Sequence, residues 1–271
     1  MRKVQRHAMR RKTAAVCRAT DEVLCVSIPK IIHYCWFGGG PIGEADRKCI
    51  ESWQKFCPDY RIMRWDETNF DLDCSPYVRQ AYDAGRYAFV SDYVRLAVLY
   101  RYGGIYLDTD VELVRPLDEL LELPGFMGFQ TNNEVATGLG FGARKGNSVV
   151  QALLRDYDAL DFLKADGSAD LTPCPERNTR VLQALGVRKD GTRQSIAEME
   201  IFPAEYFCPM DFYSRKLRVT PKTYSIHRYA ESWKPKPSAV SRILQRLLKK
   251  HYYTWYCPLR GRIEGRLRKR T

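Results

Sequence analysis

A chain of 271 residues with 45% hydrophobic content can bury a substantial core, which excludes a disordered protein. Its formal net charge of +12 is concentrated at the two ends, because residues 1–20 hold seven basic residues and no acid, and residues 234–271 hold twelve basic residues and one acid. Residues 21–233 therefore carry a charge of −6, which argues against a nucleic-acid-binding core, and we expect no nucleic-acid partner.

The cysteines and the apolar runs indicate the compartment. Nine cysteines, an odd number, occur without a Cys-x-x-Cys pair, which favours a reduced, cytoplasmic protein. The basic N-terminus is not followed by an uninterrupted apolar stretch, and no run approaches the roughly 18–20 apolar residues that span a bilayer. We therefore expect any contact with a membrane to be made from its surface.

The first elements alternate between strand and helix. Apolar, β-prone residues predict a strand over Val26–Phe37, and Tyr60–Trp65 has the same character. Helical spacing of apolar residues predicts a helix between them that ends at Pro58. This β-α-β order is typical of a parallel sheet with helices on both faces.

Further elements follow along the chain. A short helix is predicted over Tyr77–Gly85, and a longer one over Ser91–Tyr100, with Ser91 as its N-cap and two glycines as its end. The remaining predictions are strands at Phe126–Phe129 and Gly138–Ala143, helices at Ser148–Tyr157 and about Arg177–Leu185, a loop at 164–178, and β-like runs near Ile201–Phe207 and Tyr224–His227.

Two carboxylates after a short apolar run are the strongest candidate for chemistry. Asp108 and Asp110 follow Gly103-Gly104-Ile105-Tyr106-Leu107, at the end of a predicted strand where α/β sheets bind ligands. In an extended backbone both side chains would point to one side, and two such carboxylates need a cation, for which Mg²⁺ or Mn²⁺ is suited. A phosphatase-type Asp-x-Asp is an alternative, weakened because Glu112 stands where such sites usually have Thr. Two solvated acids are a third interpretation.

Other candidate residues are interpreted in relation to Asp108 and Asp110. Asp92 and Arg95 lie three positions apart on a predicted helix and can form an ion pair. A lone histidine is usually not a metal ligand, although His227 beside two aspartates would complete a Mn²⁺ site. His33, inside the first strand, is expected to be a core residue. Trp36 taken alone is expected in the core or at its rim.

The basic C-terminal tail has an amphipathic pattern. Apolar residues between Val240 and Trp255 share one helical face, and Arg and Lys lie off it. This pattern suits an anionic membrane surface, and it equally suits a terminal helix that packs on the body. The Arg/Lys run at 260–270 favours the membrane.

Taken together, an ordered set of motifs resembles glycosyltransferase family 32, the DXD-sugar glycosyltransferases. This group includes a yeast initiating α-1,6-mannosyltransferase, bacterial capsular-polysaccharide transferases and, more distantly, clostridial glucosylating toxins. The motifs are Ile28-Pro29-Lys30-Ile31-Ile32-His33-Tyr34-Cys35-Trp36-Phe37, Ser52-Trp53, Trp65, Ala88-Phe89-Val90-Ser91-Asp92-Tyr93-Val94-Arg95, Gly103 to Asp110, and His227 with Ser232-Trp233.

The resemblance implies a GT-A fold, a Rossmann-like α/β/α sandwich with a mostly parallel sheet, and a retaining, metal-dependent transfer of a hexose from a nucleotide-sugar. By this resemblance, Mn²⁺ or Mg²⁺ is held by Asp108, Asp110 and His227. Asp92 binds donor-sugar hydroxyls and is oriented by Arg95, while Tyr106 lines the donor pocket. Trp36 stacks on the base, and Ser232 and Trp233 lie near the phosphates.

We therefore expect three regions, a basic extension at 1–25, a catalytic domain at 26–233 and a basic amphipathic helical tail at 234–271. The expected enzyme is a hexosyltransferase of surface or capsular polysaccharide synthesis. It would use a UDP-sugar, with GDP-mannose as a second candidate, and a lipid-linked glycan acceptor at the inner face of the plasma membrane. The alternatives are a non-catalytic scaffold that binds anions through its basic ends, and the phosphatase.

Overall fold

The structure, a computed structural model, describes residues 27–212 and 214–230. The expected N-terminal extension, the amphipathic tail, Ser232 and Trp233 lie outside these residues. Within the described ranges, no helix has the length and apolar character needed to cross a membrane. The predicted domain boundaries stay predictions.

Ten strands and six α-helices make up the described chain, together with one 3₁₀ turn at Asp118–Leu120. The strands are β1 Ile31–Cys35, β2 Arg61–Trp65, β3 Gly104–Tyr106, β4 Val111–Leu113, β5 Gly125–Phe129, β6 Val135–Ala136, β7 Phe141–Ala143, β8 Gln194–Ile196, β9 Met199–Phe202 and β10 Ser225–His227. The helices are α1 Glu44–Phe56, α2 Pro76–Asp83, α3 Tyr87–Tyr102, α4 Ser148–Asp158, α5 Cys174–Ala184 and α6 Ala204–Phe207.

Eight strands form the central sheet, in the order β2-β1-β3-β7-β5-β9-β8 with β6 beside β5. The pairs β1–β2, β1–β3 and β5–β9 are parallel, and the pairs made by β6, β7 and β8 are antiparallel. The remaining strands, β4 and β10, pair antiparallel in a small second sheet. The α/β fold class and the β-α-β opening are thus confirmed.

Alternate residues of the central strands pack into two separate cores, because successive side chains of a strand point to opposite faces of the sheet. In β3, Ile105 belongs to the core beneath α1, α6 and the small sheet, whereas Tyr106 belongs to the core beneath α2, α3, α4 and α5. Phe126 and Met127 of β5 divide in the same way. The sheet is therefore covered on both faces, as a three-layer sandwich.

Three predicted elements differ from the observed ones. Helix α3 begins at Tyr87, so Ser91 is not its N-cap; the Ser91 hydroxyl instead donates to the Tyr87 carbonyl 3.0 Å away, within the helix. The predicted β-run 201–207 ends at Phe202, and the chain then turns into α6 after Pro203. Helix α5 begins at Cys174, inside the segment predicted as a loop.

Candidate functional site

Helix α3 carries a buried ion pair in place of the surface pair that its sequence spacing allows. The Arg95 Nη2 lies 3.1 Å from Asp92 Oδ1, and the two side chains are only 7% and 12% exposed. Burial raises the pKa of Asp92 to about 6, although the charge of Arg95 opposes this shift. Such a perturbed carboxyl group in a buried cluster is a common property of functional sites.

The same guanidinium reaches the first carboxylate of the Asp-x-Asp pair. Arg95 Nη2 donates to Asp108 Oδ1 at 2.9 Å, and the Tyr106 hydroxyl donates to the same oxygen at 3.1 Å. The guanidinium also lies over the Tyr106 ring, 4.9 Å from its centroid. Arg95 therefore joins Asp92 of α3 to Asp108 after β3, and Tyr106 fixes the orientation of that carboxylate.

A glycine also packs closely against Asp108. The Asp108 amide donates to the Gly138 carbonyl at 3.0 Å. A Cβ atom at position 138 would lie 1.8 Å from Asp108 Oδ2, well inside van der Waals contact. Glycine is therefore the residue that leaves room for this carboxylate.

The two aspartates do not extend from a strand, and that part of the prediction is wrong. The Val111 amide donates to the Asp108 carbonyl at 3.0 Å, which closes Asp108-Thr109-Asp110-Val111 into a turn between β3 and β4. The alternation of side chains in an extended backbone therefore does not apply. Asp108 faces Arg95 and Asp110 faces His227 instead.

The second aspartate is held by the last described strand. His227 Nε2 lies 3.3 Å from Asp110 Oδ1, and the Ala230 amide donates to Asp110 Oδ2 at 2.8 Å. The Arg228 amide donates to the Asp110 carbonyl at 2.9 Å. Pairing of β10 with β4 thus brings together two segments that are distant in sequence.

This ion pair shifts the titration of both partners. Burial disfavours the His227 imidazolium, but the charge of Asp110 outweighs it and raises the pKa of His227 to about 10. Burial likewise opposes ionisation of Asp110, but the charge and hydrogen bond of His227 and the Ala230 amide hold its pKa below its usual range. The pair is therefore charged at neutral pH.

The donor set of the turn suits a hard divalent cation, since Asp108 and Asp110 both supply carboxylate oxygens. Among the described residues, no three His, Cys, Asp or Glu side chains are arranged as a metal site. His227 serves as the ion-pair partner of Asp110. Its role as a third ligand stays a prediction, and it requires the imidazole to release a proton.

Side chains of helix α1 hydrogen-bond to the turn and to β4, and the sequence did not indicate these contacts. The Thr109 hydroxyl donates to Asp46 Oδ1 at 3.0 Å, and the Trp53 indole donates to the Val111 carbonyl at 2.7 Å. Ser52 completes the contact, because its hydroxyl accepts from the Leu113 amide at 2.8 Å. Ser52 and Trp53 form one of the motifs noted above, and these bonds give that motif a physical role.

Behind Arg95 lies a polar layer that sequence reasoning also missed. Cys174 Sγ lies 3.6 Å from Arg95 Nη1, 3.4 Å from the Thr137 hydroxyl and 3.2 Å from Asn178 Nδ2. The side chains come from α5 and from the segment after β6, so their proximity depends on tertiary packing.

Trp36 lies at the mouth of the glycine-rich loop after β1. Its indole donates to the Gly40 carbonyl at 2.7 Å, and the side chain is half-buried. The structure therefore brings Asp92, Arg95, Tyr106 and Asp108 into one cluster and pairs Asp110 with His227, while Trp36 occupies a separate loop. His33 is buried and hydrogen-bonded, as expected of a core residue.

Comparison with known proteins places this cluster in a recognised region. Residues 43–126 match the glycosyltransferase sugar-binding region containing a DXD motif, which confirms the resemblance. A segment of 144 residues is 32% identical to inositol phosphoceramide mannosyltransferase 3 of Schizosaccharomyces pombe, covering 50% of this chain and 39% of the relative. An uncharacterized glycosyltransferase, L373 of Acanthamoeba polyphaga mimivirus, is 25% identical over 223 residues, with 77% and 84% coverage.

The solved structure of the PaToxG glycosyltransferase is 22% identical, with a TM-score of 0.44 and coverage of 58% of this chain and 69% of that one. The chain spans well under half the length of the S. pombe mannosyltransferase.

Proposed function

We propose that this chain, which carries the DXD-containing sugar-binding region of glycosyltransferases, transfers a hexose from a nucleotide-sugar to a glycan acceptor with retention of configuration. The observation that supports this most is the Arg95 guanidinium, which bridges Asp92 and Asp108 inside the matched region. A buried cation between two carboxylates fixes both in one orientation, as recognition of a polyhydroxylated donor requires.

Each residue then has a distinct role. Asp92 accepts hydrogen bonds from donor-sugar hydroxyls, Arg95 orients Asp92 and Asp108, and Tyr106 holds the Asp108 carboxylate at the edge of the donor pocket. Trp36 is the proposed platform for the base, because an indole offers a large flat surface for stacking. Ser232 and Trp233, which lie outside the described residues, are proposed to contact the phosphates.

A divalent cation, Mn²⁺ or Mg²⁺, would be held by Asp108 and Asp110, with His227 as the proposed third ligand. When bound, it would neutralise the charge that develops on the departing nucleotide diphosphate. The ion pair with His227 and the Ala230 amide hold the Asp110 carboxylate in one orientation.

We also propose which nucleotide-sugar is the donor and which class of molecule is the acceptor. UDP-sugars remain the favoured donors, and a relative named as a mannosyltransferase supports testing GDP-mannose beside them. The proposed acceptor is a lipid-linked glycan of surface or capsular polysaccharide synthesis. The basic tail at 234–271 supports a location at the inner face of the plasma membrane.

Thermal-shift measurements with UDP and GDP, each with and without Mn²⁺, separate this proposal from its alternatives. A nucleotide shift that requires the metal supports the transferase. Stabilisation by anionic lipid or nucleic acid alone would support the scaffold, and acid-labile phosphorylation of Asp108 would support the phosphatase.

Substitution of Asp110 tests the metal role. Asp110→Asn keeps an oxygen for the Ala230 amide but removes the charge, so we expect donor hydrolysis to fall about 100-fold, the loss of a charged ligand. Asp166→Asn, which changes a carboxylate in an exposed turn, is the matched control. Undiminished hydrolysis by Asp110→Asn at saturating Mn²⁺ would contradict the assignment.

A further inference from the structure

A polar cavity of about 390 Å³ lies apart from the residues assigned above. It is lined by Thr131, Pro209, Asp211, Ser214, Lys216 and Arg218. Among the described residues of the lining are two cationic side chains, two hydroxyl groups and one anionic side chain, which gives this part of the lining a net positive charge. Such a lining complements a phosphate with neighbouring hydroxyl groups.

The cavity is built by a loop whose shape its own hydrogen bonds fix. Asp211 Oδ1 accepts from the Ser214 amide at 2.7 Å and from the Ser214 hydroxyl at 2.8 Å. The Asp211 amide donates to the Lys216 carbonyl at 3.0 Å, and Met210 pairs with Leu217 in an antiparallel bridge. The carboxylate of Asp211 therefore holds the loop closed, and Lys216 and Arg218 remain as the cations of the lining.

Tyr229 connects this cavity to the Asp-x-Asp turn. Its ring centroid lies 4.2 Å from that of His227, which contacts Asp110. The Tyr229 hydroxyl lies 2.9 Å from Cys208 Sγ, and the guanidinium of Arg215, which follows Ser214 of the cavity wall, lies 5.1 Å from the Tyr229 ring centroid. The segment that contributes to the cavity wall therefore contacts, through Arg215, the ring that packs against His227.

The outer edge of the loop adds an apolar component. Leu217 and Val219 are 39% and 52% exposed, and they alternate with Lys216 and Arg218. Alternating basic and exposed apolar side chains favour the interface of an amphiphile, where charges meet head groups and apolar groups meet acyl chains.

We propose that this cavity binds the phosphate-bearing head group of a lipid-linked acceptor, with Lys216 and Arg218 on the phosphate and Leu217 and Val219 against the first part of the lipid. The assignment rests on the proposed function, because an acceptor site beside the donor is meaningful only in a transferase. The feature of the acceptor that would be recognised is the charged phosphate linkage, and residues 209–212 and 214–219 would recognise it.

Calorimetric titration of the full chain with dihexanoyl-phosphatidylglycerol, below its micelle concentration, tests the site. We expect the double variant Lys216→Gln, Arg218→Gln to lose about 30-fold in affinity, which corresponds to about 1 kcal/mol for each basic residue near an anionic head group. Lys164→Gln removes one positive charge from an exposed position on another loop, and it should bind as the wild type does. Octyl glucoside, an amphiphile without phosphate, should not bind at this site.

Further ligands separate the sources of the phosphate. Leu217→Ser with Val219→Ser should weaken binding of the dihexanoyl lipid and leave binding of glycerophosphoglycerol, the head group alone, unchanged. Inorganic phosphate that competes as well as the head group would overturn the assignment to a lipid head group.

The metal-dependent nucleotide shift serves as the reference in every variant. If that shift is present and the double variant still binds the lipid with wild-type affinity, the acceptor site is wrong and the transferase proposal stands. If the shift is absent from the wild type, the proposed function itself has failed.

Discussion

The carboxylate of Asp108 occupies the space where any other residue at position 138 would carry its Cβ. The sequence predicted the acidic pair and the Asp92–Arg95 contact, because both follow from short-range spacing. Gly138 and Cys174 were missed, since only the folded chain brings the segment after β6 and the start of α5 against Arg95.

Gly138→Ala is expected to inactivate the site with a modest loss of stability. The added methyl group must displace the Asp108 carboxylate from Arg95, so donor hydrolysis should fall by about 100-fold, the scale of a misplaced catalytic group. Gly40→Ala is the control, because nothing lies within 4 Å of its added Cβ. Wild-type hydrolysis by Gly138→Ala would show that Asp108 does not need this position.

At the scale of elements, the local sequence predicted the existence of the helices more accurately than the residues at which they begin. Asn147 supports α4 as an N-cap should, since its side chain accepts from the Val149 and Val150 amides. Ser75 precedes α2 with the same preference, yet its hydroxyl is buried and makes no hydrogen bond in the described chain. A cap residue can therefore stand at a helix boundary without making the capping hydrogen bond.

These two caps should respond oppositely to alanine. Asn147→Ala removes two capping bonds and two donated bonds to the Pro124 and Glu198 carbonyls, so we expect about 2 kcal/mol of destabilisation in urea unfolding. Ser75→Ala removes a buried hydroxyl that has no partner, and it should leave stability unchanged or slightly raised. Equal losses in both variants would contradict this account.

At the scale of the whole molecule, the buried ring of His33 connects three elements by hydrogen bonds, and its place in the core was predicted from the sequence. Its Nδ1 accepts from the Trp65 indole at 3.0 Å, so the proton resides on Nε2, which donates to the Gly103 carbonyl at 2.9 Å. The ring thus links β1 to the end of β2 and to the end of α3. Burial lowers the pKa of His33 to about 4, although the bond to Gly103 opposes this shift.

Stability should therefore fall on acidification. An unfolded histidine takes up a proton near pH 6.5, and folded His33 does so only near pH 4, so the unfolded state gains protons first as the pH falls. The contribution of His33 is complete above about pH 6.5, and about 3 kcal/mol of it is lost by pH 4. Urea unfolding at several pH values should show a smaller acid loss in His33→Gln than in the wild type.

Nuclear magnetic resonance gives an independent check that does not depend on the variant folding. The His33 ring resonances should not titrate between pH 8 and pH 5. A midpoint near 6.5 in the folded protein would contradict the buried neutral ring.

The attachment of Asp110 to the last described strand has a consequence for synthesis of the protein. The Ala230 amide that binds the Asp110 carboxylate follows it by 120 positions in the chain. A ribosome that has released the Asp-x-Asp turn has not yet made the strand that orients it, and this long-range contact closes only after the intervening helices and strands exist. A nascent chain therefore completes its central sheet before its proposed donor site, and it should gain the capacity to bind a nucleotide only after residue 230 has been made.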